Sequence, residues 1–498
     1  MIITGVALTV LLVLVVGIAV ARKVDGDSAN YLVAGRSLGV PLVAVALTTA
    51  AVDSNATVGN TDLTGTFGFW AGASLALGLA LCLLLAGLFL AKPMNRMGLF
   101  TLGDFFAKRY GRRVEVVASV LMIFAFTILL AGNLVAMGFL FEYFTPLGYQ
   151  VGVVLAVVLI LAYTIGGGLY SDAYTAVIQA VITVVGTLAL FGWVAVSYGI
   201  EIAPGMGPFD LEQLTSSELG APINWATLIS LGIGDLVAID FMQRIFAARS
   251  PEAAQKACFI GAGATAVIGT LWALIALTAS SVLGLDAANG PIVYQLLDGP
   301  APAILAVLTL SGIVAASFST ASGAILATSA VAVRNIVGIR REVEPGHHDP
   351  LLRWTRVAML PVVAIGVLLA IRVSQTGILL TLAFDLMLAC LAVPFIVGVF
   401  WRRGTTAGTL AACGVGFVVR AVLLVLTPTL YGVPNDLLYV SNDVVGIGMD
   451  GWATLLSFAV GALTYVGVSL LTSNADHEED VLALDRFEVD RREPDPIG

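Results

Sequence analysis

The sequence predicts an all-α, polytopic membrane protein of about thirteen transmembrane helices, built on two inverted units of about five helices each. Three observations predict it. Of 498 residues, 59% are hydrophobic and only 11% are charged, and the mean hydropathy of +0.98 is far above that of a soluble domain. About thirteen apolar runs are each long enough to cross a bilayer, and they are continuous rather than alternating, which excludes a β-barrel. Two of the runs, the second and the seventh, are interrupted by glycine and polar residues, and each leads one of the two units.

The first run, residues 2–21, has no basic segment before it and is followed by Arg22 and Lys23 rather than a small-residue cleavage site. It reads as a retained span, not a signal peptide. The later runs centre near Thr49, Ala80, Phe124, Val158, Gly186, Ile233, Thr270, Ala316, Val363, Cys390, Gly416 and Val460. Lys and Arg fall on alternate connections: Arg22 to Arg36, Lys92 to Arg113, Arg244 to Lys256, Arg334 to Arg356, and Arg402 with Arg403. The intervening loops, 144–150, 199–224, 284–300 and 428–450, contain neither residue type. Only Arg372 and Arg420 depart from the pattern. The positive-inside rule then puts the N-terminus outside and the C-terminus in the cytoplasm of a multi-pass plasma (inner) membrane protein.

Residues 1–473 read as one transmembrane domain, with repeats at about 40–198 and 224–401. Residues 474–498 read as an acidic, solvated cytoplasmic tail. The net charge is −9 and no basic patch suits a nucleic acid. The four cysteines have no metal or redox spacing and read as small core residues. The three histidines, His347, His348 and His477, all lie in cytoplasmic loop or tail, so no His-based metal site is expected in the membrane. Neither an enzyme nor a cofactor is expected.

The second run carries TTAAVDSNATVGN at residues 48–60, where a plain anchor would carry Leu and Val. A mid-membrane carboxylate such as Asp53 is costly unless paired, solvated or bound to a cation. A polar break also frees backbone carbonyls, which survive only where they line a protein cavity. The competing reading is a kinked helix whose Asp53 caps its second half. In the seventh run Gly232, Gly234, Asp235 and Asp240 interrupt the helix. Five helices reverse orientation, so matching breaks at the heads of two such units mark an inverted-repeat transporter whose solute and ions bind between the broken helices. The ninth run supplies a partner: Ala316, Ser319 and Thr320 share one helical face at i, i+3 and i+4.

Five segments together are similar to the sodium:solute symporters, a family with the leucine-transporter fold: YLVAGRSLG (31–39), FTLGDFFAKRYGRR (100–113), LAYTIGGGL (161–169), QRIFAARSPEAAQKA (243–257) and PFIVGVFWRRGTTAG (394–408). The resemblance implies a sodium site made by the carbonyls of Ala51, Ser54 and Ala316 and the hydroxyls of Ser319 and Thr320. It makes Asp53 a tuning residue beside that site. Many members carry an acid in the sixth span where this chain has Ala176. Asp172, one turn earlier on the same face, is the candidate substitute. The seventh-span stretch GIGD replaces the aromatics of sugar- and proline-type members, so Asp235 becomes a substrate-binding candidate for an amino group or a polar neutral solute. The alternative for Asp235 is a helix cap. Asn55 and Asp385 are further substrate-binding candidates, and Asp62 and Asp240 are weaker ones facing vestibules.

The function so implied is sodium-coupled import of a small polar organic solute by alternating access. Its partners are that solute, the sodium ion and the lipid bilayer, with no nucleic acid. The alternatives are a sodium-independent facilitator or channel for a small neutral solute such as urea, whose branch TGTFGFWAGAS (64–74) resembles, or a transporter-like sensor. The charge pattern generates a topology prediction. A reporter fused after Gly498 should read cytoplasmic and one inserted in the 199–224 loop should read external; finding both on one side would contradict the assignment.

Overall fold

In hydrocarbon every backbone group must be satisfied within its own segment, so the long Leu-, Val- and Ala-rich runs fold as helices. The computed structural model describes residues 2–341, 349–374, 377–435 and 438–473. The tail at 474–498 and all three histidines lie outside the described residues. Among those residues, ten helices are long and apolar enough to span a membrane, or up to twelve if each of two bent pairs counts as one span.

One of the ten, Tyr149–Tyr198, has 50 residues. At about 1.5 Å per residue that is more than twice the thickness of a bilayer core. It leaves helical geometry at Gly168, with φ 50° and ψ −136°. The contacts of the helix Ala303–Val331 show that the chain reverses there. The Tyr163 hydroxyl donates to Phe318 O at 2.8 Å, the Ser322 hydroxyl donates to Asp172 at 2.8 Å, and the Thr183 hydroxyl donates to Gly312 O at 3.0 Å. Contacts thus rise from Phe318 to Ser322 on passing Gly168 and fall back to Gly312 further along the chain. The fifth and sixth apolar runs lie on either side of this reversal, and dividing the helix there accounts for the difference of one from the expected number of about thirteen.

Both interruptions bend their helices. The second span is Val40–Ala51 followed by Asn55–Phe67 at 55°, and the seventh is Ala221–Val237 followed by Ile239–Ala247 at 50°. The entry to the first is tied to the exit of the second. Leu38 N donates to Ala247 O at 3.1 Å and Arg249 N donates to Leu38 O at 2.9 Å. The two broken helices therefore run in opposite directions side by side.

Burial separates the centre from the rim. The ninth span, continued to Val337, has 78% of its apolar window buried, whereas the first span has 17%. Leu8, Leu11, Leu12, Val15 and Ile18 of the first span are exposed and suit contact with lipid. The ninth span sits at the centre, against the sixth span and both broken helices, because its Gly, Ala, Ser and Thr residues let neighbours approach closely.

Gly168 makes the reversal testable. A Cβ at this position would lie 2.7 Å from Tyr31 Cδ2, on a left-handed backbone. Gly168→Ala should cost roughly 2–5 kcal/mol from backbone strain plus overpacking, read as a lowered melting temperature in detergent. Gly166→Ala, whose nearest neighbour is Ala21 Cβ at 3.5 Å, should be close to neutral.

Candidate ion and substrate site

The first half of the second span ends at Ala51, and the Val52 N–H closes the last turn on Thr48 O at 2.8 Å. A helix end leaves its final carbonyls without intrahelical partners. The chain then passes through Asp53 into a widened turn, Asn55–Gly59, before Asn60–Phe67 resumes. The Asp53 carboxylate holds this second half. It accepts from Ala56 N at 2.9 Å, Asn55 Nδ2 at 2.9 Å and Asn133 Nδ2 at 2.8 Å. Asp53 thus makes the capping contact of the competing reading, while the carbonyl end of the first half stays open to other partners. The Ser54 hydroxyl donates to Asn133 Oδ1 at 3.1 Å, and Gly377 N donates to Asn55 Oδ1 at 3.4 Å. Asn55 therefore braces the break and is not among the residues of the central cavity described below.

The ninth span meets the carbonyl end. The Thr320 hydroxyl lies 3.0 Å from Ala50 O, 3.4 Å from Ala316 O and 3.5 Å from Thr49 O. The Ser319 hydroxyl lies 3.2 Å from Thr49 Oγ1 and 3.4 Å from Asp172 Oδ1. Ser319, Thr320 and Ala316 converge as their spacing implies. The register on the other helix differs: the hydroxyl reaches the Thr49 and Ala50 carbonyls, whereas Ala51 and Ser54 make none of these contacts. The cause is local. The helix stops at Ala51, so its last turn, not the residues after it, presents carbonyls toward Thr320. The converging groups are hydroxyl and carbonyl oxygens with the Asp172 carboxylate at their edge, an all-oxygen donor set that suits a hard cation.

Asp172 is bound into a buried ion cluster. Arg244 Nη2 lies 2.9 Å from Asp172 Oδ2, and Arg244 Nη1 lies 3.0 Å from Asp240 Oδ2. Gly323 leaves the room this guanidinium occupies. Asp172 also accepts from Ser322 at 2.8 Å, so the cluster joins the sixth and ninth spans to the lower half of the second broken helix. Asp240 belongs to this cluster rather than to a vestibule.

Asp235 is different. It is 1% exposed, and among the described residues its carboxylate meets no N–H or hydroxyl donor, only the buried Cys82 thiol. It lines a small central cavity with Asp53, Asp240, Thr320, Phe241 and Phe384. The cavity holds about 10 Å³, room for about one water. Asp385 is not brought there. Its carboxylate is paired with Arg420, and both groups are buried. Asp62 accepts from Ile292 N at 2.8 Å, at the start of a short helix on the face whose loops lack Lys and Arg.

Sequence reasoning missed Arg244, Asn133 and the Thr49 and Ala50 carbonyls. By sequence Arg244 reads as a loop charge. Arg420, an exception to the charge rule, is explained by Asp385.

Two broken spanning helices, antiparallel to each other and packed against a central helix that carries hydroxyls to the break, define a secondary transporter of the leucine-transporter-like 5+5 inverted-repeat class. The sequence model of the sodium:solute symporter family matches residues 31–416, and the chain belongs to that family. It is 23% identical to the "Uncharacterized symporter YwcA" of Bacillus subtilis (strain 168), over 95% of this chain and 94% of that one. It is 25% identical to the high affinity choline transporter 1 of Homo sapiens, over 82% of this chain and 74% of that one. Its fold matches a substrate-bound, outward-open Na+-coupled sialic acid symporter with a TM-score of 0.72 at 15% identity, covering 94% of this chain and 98% of that one. The chain is a transporter and not an enzyme.

The Asp385–Arg420 pair makes a prediction that separates structure from transport. Asp385→Ala leaves Arg420 buried and unpaired, which should cost about 3–5 kcal/mol of stability. The protein that remains folded should keep its parental sodium dependence; a selective loss of solute affinity would instead make Asp385 a binding residue.

Proposed function

We propose that this protein is a sodium-coupled secondary active symporter that imports a small polar organic solute by alternating access. The observation that carries this reading is the convergence of the Thr320 and Ser319 hydroxyls on the carbonyl end of the first broken helix. Neither helix alone offers enough oxygens for a small cation. A sodium ion held by Thr320, Ser319, and the Ala316, Ala50 and Thr49 carbonyls would tie the first repeat to the second. Coupling follows if the ion binds the outward-facing arrangement better than the inward-facing one, since equal affinity biases nothing. Solute would bind beside Asp235, in the cavity that Thr320 also lines, so ion and solute would share one wall. The choline named for the human relative supports a small organic solute at such a site.

The geometry also supports assigning entry to the face whose loops lack Lys and Arg. A cavity of about 580 Å³ lies there, lined by Thr66, Phe67, Gln213, Asn224, Thr381 and Asp450 among others. The facilitator reading makes the opposite prediction about sodium, and one experiment decides between them.

Purified protein in proteoliposomes should accumulate labelled solute under an inward sodium gradient and not under an equal potassium gradient. Thr320→Ala and Ser319→Ala should each lose about 1–3 kcal/mol of ion binding, the penalty for a lost buried polar partner. That is roughly a 5- to 150-fold rise in the sodium concentration for half-maximal uptake. Ser329→Ala should change nothing here, because that hydroxyl is satisfied by Ile325 O at 2.7 Å within its own helix. Uptake that ignores sodium would favour the facilitator.

A further inference from the structure

We propose that Asp235 makes the central cavity selective for organic cations, so that the solute is a small molecule carrying an ammonium or alkylammonium group. The inference rests on the symporter reading above and adds the charge of its cargo. Four carboxylates, Asp53, Asp172, Asp235 and Asp240, lie near the two breaks, and among the described residues the cation there, Arg244, pairs with Asp172 and Asp240 alone. Asp172 and Asp240 are both bonded to that guanidinium, and Asp240 also accepts from Phe241 N at 2.8 Å. Asp53 accepts from three N–H donors. A sodium ion at Thr320 supplies one further positive charge. Asp235 remains, with no N–H or hydroxyl donor among the described residues and only the weakly donating, buried Cys82 thiol beside it.

A lone desolvated carboxylate is costly; taking up a proton or meeting a positive charge in the cavity offsets it, and only the cation does so with the carboxylate still ionised. A neutral solute gives hydrogen bonds but no countercharge, and an anion makes the balance worse. Two further features point the same way. Phe241 and Phe384 line the same cavity, and aromatic faces attract ammonium groups. The larger cavity on the proposed entry face carries Glu218 and Asp450 and no Lys or Arg in its lining, an arrangement that concentrates cations. At about 10 Å³ the central cavity is collapsed, so entry requires the broken helices to part.

The test is thermal stability of the purified full-length protein in sodium, titrated with primary, hydroxyalkyl and quaternary ammonium ions, with urea, and with acetate. At least one ammonium ion should raise the melting temperature saturably, and urea and acetate should not. Asp235→Asn should weaken that apparent affinity about tenfold or more, and Asp235→Glu should largely restore it. The inference is overturned if no ammonium ion stabilises the protein, if Asp235→Asn binds it as tightly as the parent, or if Asp235→Asn instead weakens binding of sodium itself. Sodium-dependent stabilisation that is lost in Thr320→Ala but kept in Asp235→Asn would leave the symporter reading intact while this inference stands or falls on the ammonium series.

Discussion

Hydrocarbon cannot hydrogen-bond to a freed peptide group, and the rest of this structure depends on that constraint. Breaking a spanning helix at mid-membrane is permitted only if the loose ends find partners inside the protein. At the first break the two ends are served differently. The amide end is satisfied by a carboxylate of the same chain segment, with Asp53 accepting from Ala56 N and held in place by Asn55 and Asn133. The carbonyl end is met by a helix far away in sequence, through Thr320. A capped amide end is permanent. A carbonyl end facing hydroxyls can exchange one hydrogen-bonded arrangement for a cation-bound one.

The same economy governs charge. The buried Asp172–Arg244–Asp240 cluster joins the sixth span, the ninth span and the second broken helix, and it places the Ser319 hydroxyl within 3.4 Å of Asp172. Buried ion pairs add little net stability, but removing one member is expensive. Such a cluster therefore fixes how elements meet. Asp385 and Arg420 do the same work elsewhere, away from the central cavity. Asp235 stands outside this bookkeeping, which is why it is read as a binding group.

Much of this was legible in the sequence. The spans follow from hydropathy, and both breaks follow from polar residues and glycine where Leu and Val belong. The shared face of Ala316, Ser319 and Thr320 follows from helical spacing alone. What was not legible depends on tertiary contact. The end of the first half-helix is set by Asp53 and by Val52 N bonding to Thr48 O, and a shift of one or two residues there changes which carbonyls meet Thr320. Arg244 lies at the Lys- and Arg-bearing end of an apolar run and looks like any positive-inside charge until Asp172, 72 residues away, is seen beside it. Asn133 is the one amide side chain in a long, mostly apolar helix, and its meaning appears only when Asp53 faces it. Asp385 reads as a substrate-binding candidate by sequence because its partner, Arg420, lies on the next span.

The central claim is that a sodium ion occupies the junction of the Thr49–Ala50 carbonyls with the Ser319 and Thr320 hydroxyls. Cryo-electron microscopy maps of the purified protein in sodium and in potassium would test it directly. The account predicts a compact density bounded by Thr320 Oγ1, Ser319 Oγ and the Ala50 and Ala316 carbonyls in sodium, and its absence in potassium. Ion density beside Asp172 instead, or an unchanged junction in the two salts, would contradict it.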